Sequence, residues 1–214
     1  MTLLYPLDAE LDSEARLRLL GTKAAGLNEM AALGIPVPPG FTITTEVGAH
    51  YRDERIWPEG LEAAVDEALR GIEQRLGRTF GGPANPLLLS VRSGASVSMP
   101  GMMDTVLNVG VNEETLGGLA AAHADERFAL DAYRRLLQMY GTIVRGIGAD
   151  RFQYLLSDFK TKLGRPRMLD SELPESAFEE IIVAYLALIE EASGSPFPRD
   201  VDTQLWDSIA AVFD

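Results

Sequence analysis

The stretch LSVRSGASVSMPGMMDTVLN, Leu89 to Asn108, decides the reading of this chain. The apolar run that leads into it, Pro86-Leu87-Leu88-Leu89-Ser90-Val91, predicts a short buried strand. The run ends in Arg92, and small or hydroxylated residues follow: Ser93, Gly94, Ala95, Ser96, Ser98 and Gly101. From Ala84 to Met103, Arg92 is the only charged side chain. A strand that delivers one cation into a glycine- and serine-rich loop has the make-up of an anion site. A guanidinium grips phosphate oxygens bidentately, and unshielded backbone N–H groups approach them closely. Met99, Met102 and Met103 crowd around Pro100 and Gly101, either as core filler or as an adaptable apolar lid. Asp104 is the first acid after the loop, placed to pair with a cation or to cap the next element, the strand expected from Thr105 to Val111. With few large anchors, the loop is expected to move until a ligand orders it.

A second segment has the same make-up: Gly21-Thr22-Lys23-Ala24-Ala25-Gly26. Lys23 falls where a helix is expected to begin, and free N–H groups and the helix dipole attract anions there. A lysine and an arginine from separate loops can converge on one polyphosphate. No Gly-x-x-x-x-Gly-Lys-Ser/Thr run occurs, so the site is not a Walker P-loop, and protein-kinase motifs are missing. The competing reading is a structural glycine loop, a surface lysine and a buried, salt-bridged arginine. His50 and His123 lie in expected helices without an obvious carboxylate partner and read as solvated helix residues.

Around these segments, strands are expected at Leu4 to Leu7 and Phe41 to Thr44, and helices at Thr22 to Leu33, Glu46 to Arg55 and Pro58 to Leu76. After Asn112 the pattern becomes helical: Arg127 to Ile147, Phe152 to Leu163, Ala177 to Ala192, and a last helix from Thr203. The domain expectation is therefore an α/β lobe over 1–111, a helical subdomain over 112–200, and a return segment over 201–214. Nine basic and three acidic residues lie between Arg127 and Arg167, net +6, against −13 for the whole chain. That run reads as solvated helix faces or as a docking surface for an acidic neighbour. The acidic total argues against nucleic acid as a partner. The 214 residues contain no cysteine, show no signal peptide, and have no apolar run near the ~18–20 residues of a membrane span. The expected location is cytoplasmic, away from membranes.

At these residues the chain resembles the N-terminal part of the pyruvate, phosphate dikinases. The resemblance is carried by Gly21-Thr22-Lys23-Ala24-Ala25-Gly26-Leu27-Asn28-Glu29-Met30, by Gly34-Ile35-Pro36-Val37-Pro38-Pro39-Gly40-Phe41-Thr42-Ile43-Thr44-Thr45, and by Ser90-Val91-Arg92-Ser93-Gly94-Ala95 running into Ser98-Met99-Pro100-Gly101-Met102-Met103-Asp104-Thr105. Asp131-Ala132-Tyr133-Arg134-Arg135, Gln138-Met139-Tyr140-Gly141 and Gln204-Leu205-Trp206 extend it into the helical part. Related phosphoenolpyruvate synthases share the lysine segment and the Ser-Val-Arg-Ser core but not Met-Pro-Gly-Met-Met-Asp-Thr. The resemblance implies the N-terminal lobe of an ATP-grasp domain, α/β or α+β, with an all-helical insertion.

The activity so implied converts ATP, phosphate and pyruvate into AMP, pyrophosphate and phosphoenolpyruvate through a phosphohistidine on another domain. Lys23, Arg92, Ser93, Gly94, Ala95, Ser96, Gly101, Met102, Met103, Asp104 and Thr105 would surround the ATP phosphates. The Mg2+ ligands, much of the adenine pocket and the phosphohistidine would come from a second ATP-grasp lobe and further domains outside these 214 residues, so the chain is expected to be a fragment that binds ATP weakly and does not turn over. Two alternatives remain: an ATP-binding domain like that of phosphoenolpyruvate synthase, and a stand-alone binding or regulatory module.

Overall fold

The computed structural model of the chain describes residues 1–93 and 105–213. The described residues separate into two units. The first holds Met1–Gly77 with Arg92, Ser93, Val212 and Phe213; the second holds Arg78–Val91 and Thr105–Ala211. The first boundary falls after Gly77, whereas the sequence pattern put it at residue 111. The strands between those positions pack on the helices that follow them, so they count with the helical unit.

In the first unit, β1 (Leu4–Pro6) pairs antiparallel with β2 (Phe41–Ile43), Tyr5 opposite Thr42. Between them runs α1 (Ser13–Ala32), and α2 (Thr45–Glu54) and α3 (Leu61–Leu76) follow. Asp12 starts α1 by accepting the Ala15 N–H at 2.8 Å, and Thr44 starts α2 by accepting that of Val47; such caps stabilise a helix by about 1 kcal/mol each. Asn28, buried on α1, donates to the carbonyls of Leu7 and Ala9 at 2.8 Å each and ties the helix to the exit of β1. Leu19, Leu20, Val47, Leu61, Val65 and Ile72 form the core. Phe213 packs edge-on against Trp57, which stacks on Tyr51 at 3.7 Å. Gly48 leaves the room: a Cβ there would sit 2.7 Å from the Phe213 ring.

The second unit contributes β3 (Thr79–Phe80) parallel to β4 (Pro86–Leu87), and β5 (Leu89–Arg92) paired with β6 (Thr105–Val109). Its helices are α4 (Glu113–His123), α5 (Glu126–Met139), α6 (Ala149–Lys162), α7 (Glu175–Ser193) and α8 (Val201–Phe213), the last reaching into the first unit's residues. The core is α5 against α7, with Leu130, Tyr133, Leu136 and Leu137 buried on the first helix and Phe178, Ile181, Tyr185 and Ile189 on the second. Each such side chain contributes roughly 1.5–3 kcal/mol by leaving water. The expected helix through Ile147 ends early, because α5 widens into a π-helical turn at Tyr140–Val144. There Gly141 lies so close to the Phe152 ring that a Cβ would stand 2.3 Å from it.

All described sheets are two-stranded, so the architecture is helix-rich α+β and not a layered parallel sheet. The expected buried strand is likewise corrected. Only Pro86 and Leu87 are buried; β5 alternates half-buried and exposed positions, because its sheet has a single other strand.

Candidate functional site

The helix expected at Thr22 begins in the structure at Ser13 but is broken at Gly21 (φ 72°, ψ 169°). That combination is open essentially to glycine alone, because any Cβ would collide with the backbone. The break restarts the helix and leaves Lys23 in the first turn of the second segment, the position inferred from its sequence context. Lys23 is half-buried. Its Nζ donates to the carbonyl oxygen of Ser93 at 3.5 Å, the outer limit of a hydrogen bond, across 70 residues of chain. Two of the sequence-predicted residues, Lys23 and Ser93, thus meet within the first unit.

Arg92 ends β5 immediately before Ser93, and its side chain is exposed. Neither Lys23 nor Arg92 forms an ion pair with a described carboxylate. The reading of Arg92 as a buried, salt-bridged residue therefore does not hold among the described residues. Two cations without acidic partners, next to a carbonyl that already attracts one of them, favour an anion over a metal ion. Gly94, Ala95, Ser96, Gly101, Met102, Met103 and Asp104 lie outside the described residues, as does the expected mobility of their loop. Thr105 opens β6 in the second unit.

The basic run from Arg127 to Arg167 is largely committed within its own unit. Buried Arg134 binds Asp131 at 2.7 Å and Gln138 at 3.2 Å. Arg135 shares Asp131, Lys160 binds Asp170 at 2.5 Å, and Arg165 faces Glu172. Arg145 faces Asp207, and Arg151 faces Glu191. Most of these acids lie beyond the run in sequence, which is why the segment looked unbalanced. These pairs show where the run's charge is met within the unit; several of the cations, Arg135, Arg151 and Arg165 among them, stay about half exposed.

His50 is half-buried on α2, and His123 packs on Phe128 with ring centres 4.7 Å apart. Among the described residues no group of three or more His, Cys, Asp or Glu stands together as a metal site, and no helix is long and apolar enough to cross a membrane. Sequence reasoning missed the role of Gly21. The signal was present: Lys23 stands three and four residues after Leu20 and Leu19, on what an unbroken helix would make a core face.

Comparison with models of protein families finds no match. Curated relatives are found among longer proteins. The chain is 45% identical over 208 residues to the pyruvate, phosphate dikinase of Giardia intestinalis, covering 97% of this chain and 23% of that protein. It is 48% identical over 206 residues to the pyruvate, phosphate dikinase of Rhizobium meliloti (strain 1021), covering 96% and 23%. It is 47% identical over 197 residues to pyruvate, phosphate dikinase 2 of Zea mays, covering 92% and 22%. The chain thus spans just under a quarter of the length of these relatives.

Proposed function

The chain belongs to the pyruvate, phosphate dikinase family, as the counterpart of just under a quarter of its relatives' length, and on that premise we propose that it is a nucleotide-binding portion that holds the polyphosphate of ATP. The observation that carries the reading is Lys23 Nζ at the Ser93 carbonyl, beside exposed Arg92, with no described carboxylate neutralising either cation. In this reading the chain is one lobe of an ATP-grasp domain. Lys23 supplies a point charge to the phosphates, Arg92 supplies a bidentate fork, and the residues from Ser93 to Thr105 supply backbone donors.

Phosphoryl transfer asks a protein mainly to position the chain of phosphates and to neutralise charge as it spreads over the transferred group. Two cations on fixed elements do both. The ammonium and guanidinium fit the anion; the ligands for Mg2+ would come from a second ATP-grasp lobe. The overall conversion of ATP, phosphate and pyruvate, with a phosphohistidine on another domain as carrier, is proposed for the protein of which this segment forms part.

The test uses the chain's three lysines, Lys23, Lys160 and Lys162. With 13C at their Cε atoms, titration with Mg-ATP or tripolyphosphate is expected to shift the Lys23 signal and leave the other two, with a dissociation constant of about 0.1–1 mM for the isolated chain. Lys23→Ala and Arg92→Ala are each expected to weaken binding about tenfold or more, the worth of a charge-assisted bond. Unchanged affinity in both variants would sink the assignment.

A further inference from the structure

Gly21 is the most constrained backbone position near the lone cations. It is buried, and its φ of 72° with ψ of 169° lies where L side chains are not tolerated. It interrupts a helix that otherwise runs from Ser13 to Ala32. No proline stands in that helix to account for the interruption.

The consequence is legible from helical geometry. Residues three and four apart share a face of an α-helix. In an unbroken α1, Lys23 would stand on the face of Leu19 and Leu20, which are 6% and 1% exposed. An ammonium there would be desolvated without a partner, which strongly disfavours that placement. The break turns the chain before Lys23, which instead stays half-buried and reaches the Ser93 carbonyl at 3.5 Å. Beyond the break the buried positions are taken by Ala25 and Asn28.

We infer that Gly21 is a positioning residue: its backbone conformation lifts Lys23 off the core face of α1 and presents the ammonium, next to Arg92 and Ser93, to a polyphosphate. This inference rests on the reading of Lys23 as a phosphate-binding cation. Gly21 itself donates nothing to the ligand. It acts through Lys23 alone, so a substitution there removes what Lys23 contributes and no more.

A double-mutant cycle with tripolyphosphate as the probe separates this role from a merely structural one. Affinity is measured for the wild-type chain, Gly21→Ala, Lys23→Ala and the double variant, with folding checked by circular dichroism. Gly21→Ala is expected to weaken binding about tenfold in the wild-type background and less than about twofold in the Lys23→Ala background. The 13Cε shift of Lys23 on titration is expected to disappear with it. Equal losses in both backgrounds would overturn the inference, because Gly21 would then act on the fold at large. Should Gly21→Ala not fold, D-alanine at position 21, for which this φ and ψ are the mirror image of an allowed L conformation, replaces it and is expected to bind tripolyphosphate as the wild-type chain does; loss of binding there overturns the inference. Failure of both to fold overturns the inference as well. A wild-type chain whose binding is indifferent to Lys23→Ala overturns the phosphate reading, a result distinct from either.

Discussion

Gln204 shows how one side chain holds separate stretches of backbone. It is fully buried on α8. Its Nε2 donates to the carbonyls of Val111 and Pro198 at 3.2 and 3.0 Å, and its Oε1 accepts the Gly110 N–H at 3.0 Å. Gly110, at φ 106°, can turn its N–H inward because it carries no side chain. Gln204→Ala would strand all three groups, each at about 1–3 kcal/mol, so a loss of about 3 kcal/mol or more is expected. Urea unfolding should show this as a lower midpoint with an unchanged slope. The sequence places Gln204 in a recognisable motif but says nothing of its partners, which lie 6 and about 93 residues away. Lys23 and Arg92 are the opposite case. Their solitude among small residues is a local property, and the sequence shows it directly.

Among the helices, glycines separate what propensity dictates from what packing demands. Gly71 sits exposed inside α3, and a Cβ there would meet nothing within 4 Å. Gly71→Ala is expected to raise stability by about 0.5–1 kcal/mol, because alanine loses less backbone freedom on folding. Gly141→Ala should do the reverse: its Cβ would fall 2.3 Å from the Phe152 ring in the widened turn after α5. Overpacking of this kind costs about 1–3 kcal/mol, and paired thermal melts would show shifts of opposite sign. The long amphipathic helices α5 and α7 were readable because their apolar residues recur at three and four. The segment Ser13–Leu20 and α4 were not. Leu17 is 55% exposed while Leu19 and Leu20 are buried, so the apolar residues of that segment do not share one face. In α4 small residues dominate, because Gly118 must lie against the Pro83 carbonyl.

For the whole molecule, charge is resolved by pairing more than by patches. Besides acids within the run such as Asp131, those that pair with the basic residues come from α7, α8 and the turn at Asp170–Glu172. Alkaline titration offers a global check. Burial pushes the Tyr133 hydroxyl up to about 12, and burial likewise raises Tyr140 and Tyr185; Tyr140 is raised further by its hydrogen bond to Asp207. A folded-state value above the unfolded one means that the native state holds its proton longer. The associated stability is fully present below the ordinary tyrosine value of 10.0 and is lost as pH rises from there through about 12. Urea stability is expected to decline over that window in step with phenolate absorbance, and Tyr133→Phe should reduce the decline. An unchanged decline in that variant would remove Tyr133 from the account.

The chain's residues alone determined the lone cations, the helical second half, the strands at either side of the glycine loop, and the resemblance that the dikinase relatives bear out. These follow from short-range rules: side-chain period, proline and glycine placement, and the identity of neighbours. Tertiary structure alone decided that Arg92 is exposed, that Arg134 is buried against Asp131, that the strands after Gly77 join the helical unit, and that Gly21 breaks α1. Each of these depends on which distant surface a segment meets, and on a backbone conformation stable only once that surface is present.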